Sequence, residues 1–242
     1  MAFYRTLAAQ HRKELLEYGV GNGRLAVVMA QAGCRVVGID WSRPMLDSLR
    51  ATLDQARGEP WARRIELVEG DMREVRLSRR FSLILCTFNT FLHLYTRSDV
   101  ESFLERVKEH LTPEGRFVFD ISIPRAEDLA RSPDRTYGVP RFRHPTTGQV
   151  VRYTERFDYD PVRQVLHVVM EFHPVRGGES WAVPLTHRQY FPQEIDALLH
   201  YNGFEVEEVL GDFEGPLGRY SDVGIWTTRL RRGRKTSASR KK

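Results

Sequence analysis

The chain has 242 residues, with 37 Lys or Arg against 32 Asp or Glu, a formal charge of +5, 41% hydrophobic residues and two cysteines. That length can bury one sizeable core, and no apolar run approaches the roughly 18 residues of a membrane span. The N-terminus has no signal-peptide apolar stretch, and Cys34 and Cys86 fall at the start of one strand and the end of another, so they are expected to be packing residues rather than a disulfide, and a cytoplasmic location is the default expectation.

Residues 1 to 13 read as a short helical or irregular lead. Leu15 and Leu16 then belong to a buried parallel strand, after which Gly19, Gly21 and Gly23 turn the chain sharply into a helix predicted over 23–33. Val36-Val37-Gly38-Ile39-Asp40 is a second strand ending in an acid. Glu17 before the first glycine and Asp40 at the next strand tip describe a pocket for an adenine nucleoside with an amino-acid tail, S-adenosylmethionine (AdoMet). Glu17 is expected to act on the ligand's ammonium group through water or a neighbouring amide. Asp40, followed by Trp41, is expected to accept from the ribose hydroxyls. A dinucleotide site has the spacing G-x-G-x-x-G and a pyrophosphate on the helix N-terminus. Here the spacing is G-x-G-x-G, Arg24 stands where the third fingerprint glycine would be, and Glu17 would repel a pyrophosphate.

A helix is predicted over 43–57, and Ile65-Glu66-Leu67-Val68-Glu69 is a third strand running into Gly70-Asp71-Met72. Asp71 is expected to take the adenine amino group and Met72 to pack on the ring. Phe81 to Cys86 is an apolar run of buried-strand type that opens into Thr87-Phe88-Asn89-Thr90-Phe91-Leu92-His93-Leu94. Across residues 12 to 124 these ordered motifs resemble the class I AdoMet-dependent methyltransferases. The segment from Cys86 to Leu94 is similar to the one after strand four in glycine N-methyltransferase and related small-molecule enzymes. The resemblance implies a doubly wound, Rossmann-like α/β sheet closed by an antiparallel hairpin, with Cys86 and Phe88 beside the cofactor. Asn89 and His93, four residues apart, would share a face if the segment begins a helix. Asn89 is expected to orient an amine or carboxylate and His93 to accept a proton, with a capping or core hydrogen bond as the competing role for His93.

Val100, Phe103, Leu104, Val107 and Leu111 have the spacing of a helix over 97–111, which Thr112-Pro113-Glu114-Gly115 ends before a fifth strand, Arg116 to Ile121. In glycine N-methyltransferase a strand-five arginine binds the substrate carboxylate. No arginine follows Asp120 directly here, so glycine is not the expected acceptor. After Pro124 the period becomes two: Val151, Tyr153, Phe157 and Tyr159 alternate, as do Leu166, Val168, Met170 and Phe172, with Asp160-Pro161 as the turn. Residues 125–185 are thus expected to form an inserted antiparallel element that roofs the acceptor pocket, extends the sheet or makes a homodimer contact. Arg188 and Tyr190 are candidates to line the pocket from that side, against a plain strand-face role. Residues 186–230 should complete the sheet, with a helix from Gln193 to Asn202 and strands near 205–210 and 223–230.

The last fourteen residues carry eight Lys or Arg and no acid, so without them the formal charge is −3. Residues 231–242 are expected to be a disordered basic tail. The expected activity is in-line methyl transfer to a small molecule, with an amine nitrogen favoured over a hydroxyl oxygen and no covalent enzyme intermediate. The alternatives are an RNA methyltransferase using the tail, which the mildly acidic body disfavours, and a non-catalytic AdoMet-binding or scaffold protein. The eight histidines are scattered without zinc-site spacing, so no metal is expected. Only 16 residues precede Glu17, a shorter lead than in the enzymes the chain resembles, which predicts a reduced cover and micromolar or weaker AdoMet affinity.

Overall fold

A computed structural model describes residues 2–10, 14–144 and 148–231; beyond Arg231 the expected basic tail lies outside the described residues. A short helix α1 (Ala2–Gln10) precedes β1 (Glu14–Tyr18), α2 (Ala26–Gln31), β2 (Arg35–Asp40), α3 (Arg43–Gln55), β3 (Ile65–Glu69) and β4 (Phe81–Cys86). A 3-10 turn (Thr90–His93) leads to α4 (Arg97–His110), β5 (Leu111–Ser122) and a one-turn helix α5 (Ala126–Leu129). Strands β6 (Tyr137–Arg143), β7 (Val150–Asp160), β8 (Val165–Pro174) and β9 (Trp181–Arg188) follow, then α6 (Pro192–Tyr201), β10 (Phe204–Gly211) and β11 (Val223–Leu230).

The main sheet has the order β10-β11-β5-β4-β1-β2-β3, with β3 to β5 parallel and β11 and β10 antiparallel at one edge. The strand order reverses between β1 and β4, which opens a crevice at their C-terminal ends. Both faces are buried, and the alternation in β1 assigns the layers: Leu15 packs with Leu25, Met29 and Leu49, while Leu16 and Tyr18 pack with Phe103, Phe117 and Trp226. Each such side chain contributes about 1.5–3 kcal/mol through burial. The rings of Phe91, Phe119 and Trp226 stack at 4.9 and 5.5 Å between centroids, fixing the 3-10 turn over β5 and β11.

Local chemistry sets the helix ends. Thr96 and Asp99 form a reciprocal capping box at the start of α4, and Val100, Phe103, Leu104 and Val107 are buried as their spacing predicts. Helix α2 begins later than the expected 23, because Gly23 lies at φ +83°, outside helical backbone. The stop expected at Thr112 to Gly115 is drawn into β5, whose register against β4 shifts between Phe81 and Leu83.

The inserted element is a four-stranded antiparallel sheet in the order β6-β7-β8-β9, in which Tyr153 pairs with Phe172 and Asp160 with Val165 around the expected turn. It runs through Arg188, three residues beyond the expected boundary. Among the described residues, no helix is long and apolar enough to cross a membrane.

One buried polar group ties α4 to the sheet. His110 Nε2 accepts the Leu77 N–H at 2.8 Å, so its Nδ1 carries the hydrogen and donates to the Tyr18 hydroxyl at 2.6 Å. Burial lowers the His110 pKa. A base whose folded pKa lies below its unfolded value binds fewer protons when folded, so this stability is lost as pH falls through the ordinary histidine range. We expect His110→Ala to cost about 2–4 kcal/mol in urea denaturation at pH 7. The variant should also lose less stability than wild type between pH 7 and pH 5.

Candidate active site

The turn after β1 is built from left-handed backbone: Gly19 has φ +69° and Gly23 φ +83°. A Cβ at Gly19 would meet the Thr90 side chain at 2.4 Å, and one at Gly23 would meet Leu49 Cδ1 at 2.4 Å. Larger residues there would push the turn off the sheet. The Gly19 and Val20 amides donate to the Ile39 carbonyl at 2.8 and 3.0 Å. Gly21 N–H donates to Asp40 Oδ2 at 2.7 Å, and Ser42 N–H to Asp40 Oδ1 at 2.8 Å. Asp40 thereby clamps the turn to the end of β2, and each of its oxygens keeps further acceptor capacity.

Glu17, registered between Gly38 of β2 and Leu85 of β4, is 1% exposed, and its Oε2 has no hydrogen-bond partner among the described residues. Burial, reinforced by the charges of Asp40 and Asp120, pushes its carboxyl well above the usual range. Asp120, on β5, is also buried, and it accepts the Phe88 N–H at 2.9 and 3.1 Å and the Tyr4 hydroxyl. Its pKa is raised because burial outweighs these bonds. Thr87 adds a second buried orphan, its Oγ1.

The sequence-predicted residues are treated unequally. Glu17, Gly19, Gly21, Gly23 and Asp40 come together at the sheet rim, and Trp41 beside them is 80% exposed. Met72 is half-buried and packs on the core layer that contains Tyr18. Cys86 is wholly buried with its thiol in that layer, so its backbone is what reaches the rim. Phe88, at φ +56°, lies partly exposed with the Arg24 guanidinium 4.0 Å from its ring centroid.

Asp71 accepts from Arg73 at both of its oxygens, through the backbone N–H at 2.8 Å and guanidinium bonds of 2.6 to 3.1 Å, and keeps acceptor capacity beyond these bonds. Those bonds hold its pKa below the usual range. Asn89 and His93 do not share a helix face. Phe88 and Asn89 are left-handed and the following turn winds as a 3-10 helix. The Asn89 amide is committed at both ends to Ser122, accepting its N–H at 2.6 Å and donating to its Oγ at 3.0 Å. His93 instead faces His187 of β9, with ring centroids 5.1 Å apart. Burial holds the His93 pKa below the ordinary value. Arg188 is buried in bonds to the Gln189 carbonyl and Glu194, and the Tyr190 hydroxyl donates to the Leu94 carbonyl, so both have structural roles.

A separate cleft of about 650 Å³ between α4 and the Arg73–Arg76 stretch shares no residue with the glycine turn. Tyr4, Asp120, Thr87 and His187 were not anticipated as site residues. Asp120 carries the same signal as Asp40, an acid ending an apolar strand, whereas nothing local marks Tyr4.

A family profile described as a methyltransferase domain matches residues 15–115, the stretch that holds the turn and both rim acids of β1 and β2. The CcbJ methyltransferase of Streptomyces caelestis is 26% identical and superposes with a TM-score of 0.83 over 96% of this chain and 88% of its own. Residues 15–115 thus match a methyltransferase domain, and the described chain has the fold of the class I AdoMet-dependent methyltransferases. The cypemycin N-terminal methyltransferase of a Streptomyces species is 34% identical over 142 residues, 57% of this chain and 54% of that protein, so the chain spans about half the length of that relative. An aminosugar N,N-dimethyltransferase of Streptomyces venezuelae is 28% identical over 221 residues, 87% of this chain and 82% of that protein.

The residues present fit AdoMet as the cofactor of such a domain. A buried acid with an orphaned oxygen calls for a cation, and Gly19 and Gly23 let the turn seat closely on Thr90 and Leu49 at the same rim. An acid whose folded pKa is raised binds more protons when folded, so stability falls as pH rises above the unfolded glutamate value. Glu17→Gln removes that slope. Without ligand, its melting temperature should exceed that of wild type by more at pH 8 than at pH 5, a difference on the order of 2–4 °C.

Proposed function

We propose that the protein transfers a methyl group from AdoMet to an amine nitrogen of a small molecule by in-line displacement. The observation that carries this reading is the buried acid pair, Glu17 with its unpartnered oxygen and Asp120, behind a glycine turn clamped by Asp40. Such a rim suits a cationic nucleoside with an amino-acid tail. In this reading Glu17 and Thr87 face the tail, Gly19, Gly21 and Gly23 pass it along their backbone, and Asp40 takes the ribose hydroxyls. Trp41, Met72, Phe88 and the Cys86 backbone surround the adenosine.

AdoMet, when bound, supplies a methyl group already activated by a positively charged sulfur. The chain's own work is to hold the acceptor in line, exclude water and keep the nucleophile unprotonated. His93, neutral at pH 7 with its lowered pKa, supports the last of these. Nitrogen as the acceptor atom is supported by the names of the relatives, an N-terminal methyltransferase and an aminosugar N,N-dimethyltransferase.

Calorimetry with S-adenosylhomocysteine should give saturable binding that Asp40→Ala weakens by roughly 100-fold, the loss of two charge-assisted hydrogen bonds. Radiolabelled AdoMet offered with a panel of primary amines and phenols should then label amines. Label confined to phenols would remove nitrogen as the acceptor atom, and absence of cofactor binding would remove the whole reading.

A further inference from the structure

Four side chains meet where the inserted sheet touches the main one. Tyr95, just past the 3-10 turn, has its hydroxyl 3.1 Å from the Thr186 carbonyl and 2.6 Å from Thr186 Oγ1, on β9. The same hydroxyl lies 3.5 Å from His93 Nδ1. The His187 ring stands edge-on to His93 at 5.1 Å and 67°. A phenol has one hydrogen to give and two acceptor sites. With the Tyr95 hydrogen on the Thr186 carbonyl and the Thr186 hydroxyl donating to the phenol oxygen, one acceptor site remains, and it suits an Nδ1–H. Hydrogen bonding at one imidazole nitrogen decides the state of the other. His93 Nε2 is therefore left bare.

We infer that β9 completes the proton-accepting site: Tyr95, anchored on Thr186, holds His93 in the Nδ1–H tautomer with Nε2 free, and His187 covers one edge of the ring. The inference rests on the amine-methylation reading above. An acceptor ammonium gives its proton to His93 Nε2, the freed lone pair forms the N–CH3 bond, and the C–S electron pair returns to sulfur. The proton then leaves His93 for solvent at the exposed edge of the ring. Tyr95, Thr186 and His187 act through His93 and are positioning residues. Asp40 is the charge that acts on His93, and His187, held down to about 4 by burial and then by His93, stays neutral while His93 titrates.

The test is a nitrogen-15 correlation spectrum of the imidazoles in the full chain at pH 8 with S-adenosylhomocysteine present, for wild type and Tyr95→Phe. His93→Gln assigns the resonance and should move the His187 titration midpoint upward from about 4. Wild-type His93 should be chiefly Nδ1–H, and Tyr95→Phe should convert it to a mixture of tautomers while the amide spectrum stays that of a folded protein. An Nε2–H His93 in wild type overturns the inference and needs no variant. So does a tautomer unchanged in folded Tyr95→Phe. If S-adenosylhomocysteine binds, either result leaves the cofactor reading standing; if it does not bind, the reading falls and the inference with it.

Discussion

Carboxyl groups enter a protein interior only against a large desolvation cost, and the rim of this sheet holds two that are almost sealed from water. Asp120 offsets that cost with the Phe88 N–H and the Tyr4 hydroxyl; Glu17 leaves one oxygen without a partner among the described residues. Much of the surrounding structure serves this arrangement. Helix α1 is seated on the rim through Tyr4, whose ring also meets Phe88 and Phe213. The left-handed Phe88 and Asn89 aim one amide at Asp120 and tie the next side chain to Ser122. Asp40, the third acid, is more exposed and serves as the clamp for the glycine turn.

An unpaired buried acid is a poor structural element and a good receptor for a cation. In the absence of one, the raised pKa of Glu17 keeps a proton on the carboxyl and avoids a naked charge. An arriving ammonium makes the ionised form favourable, so the site stores electrostatic affinity that is released only on binding. The two facing histidines follow a different logic. His93 comes from the 3-10 turn and His187 from the inserted sheet, and burial lowers the pKa of both. The inserted sheet thus brings a titratable side chain against the end of the 3-10 turn.

The parallel half of the fold was legible because each signal was local. Glycines at alternate positions, acids at strand tips and a four-residue capping pattern each imply a backbone geometry on their own. Period-two alternation likewise gave the β7–β8 hairpin, but it could not count the strands beside it, because β6 carries a weaker pattern. Less legible were the side chains whose partners are set by tertiary structure. Over Asp71 the side chain of Arg73, two residues on, folds back and reaches Asp99 with its other arm. Asn89 and His93 were spaced for an α-helix, and two left-handed residues with a 3-10 turn sent them to different strands. Tyr4 lies 116 residues from the carboxylate it meets, and no spacing rule reaches that far.

The central claim, that an uncompensated acid at the rim is ionised by its ligand, is tested most directly by calorimetry of AdoMet binding at pH 6.5 in phosphate and in Tris. The two buffers differ widely in ionisation enthalpy, so any proton exchanged on binding appears as a difference in the measured heat. The account predicts net proton release, present in wild type and diminished in Glu17→Gln. Identical heats in the two buffers, or net proton uptake, would contradict it.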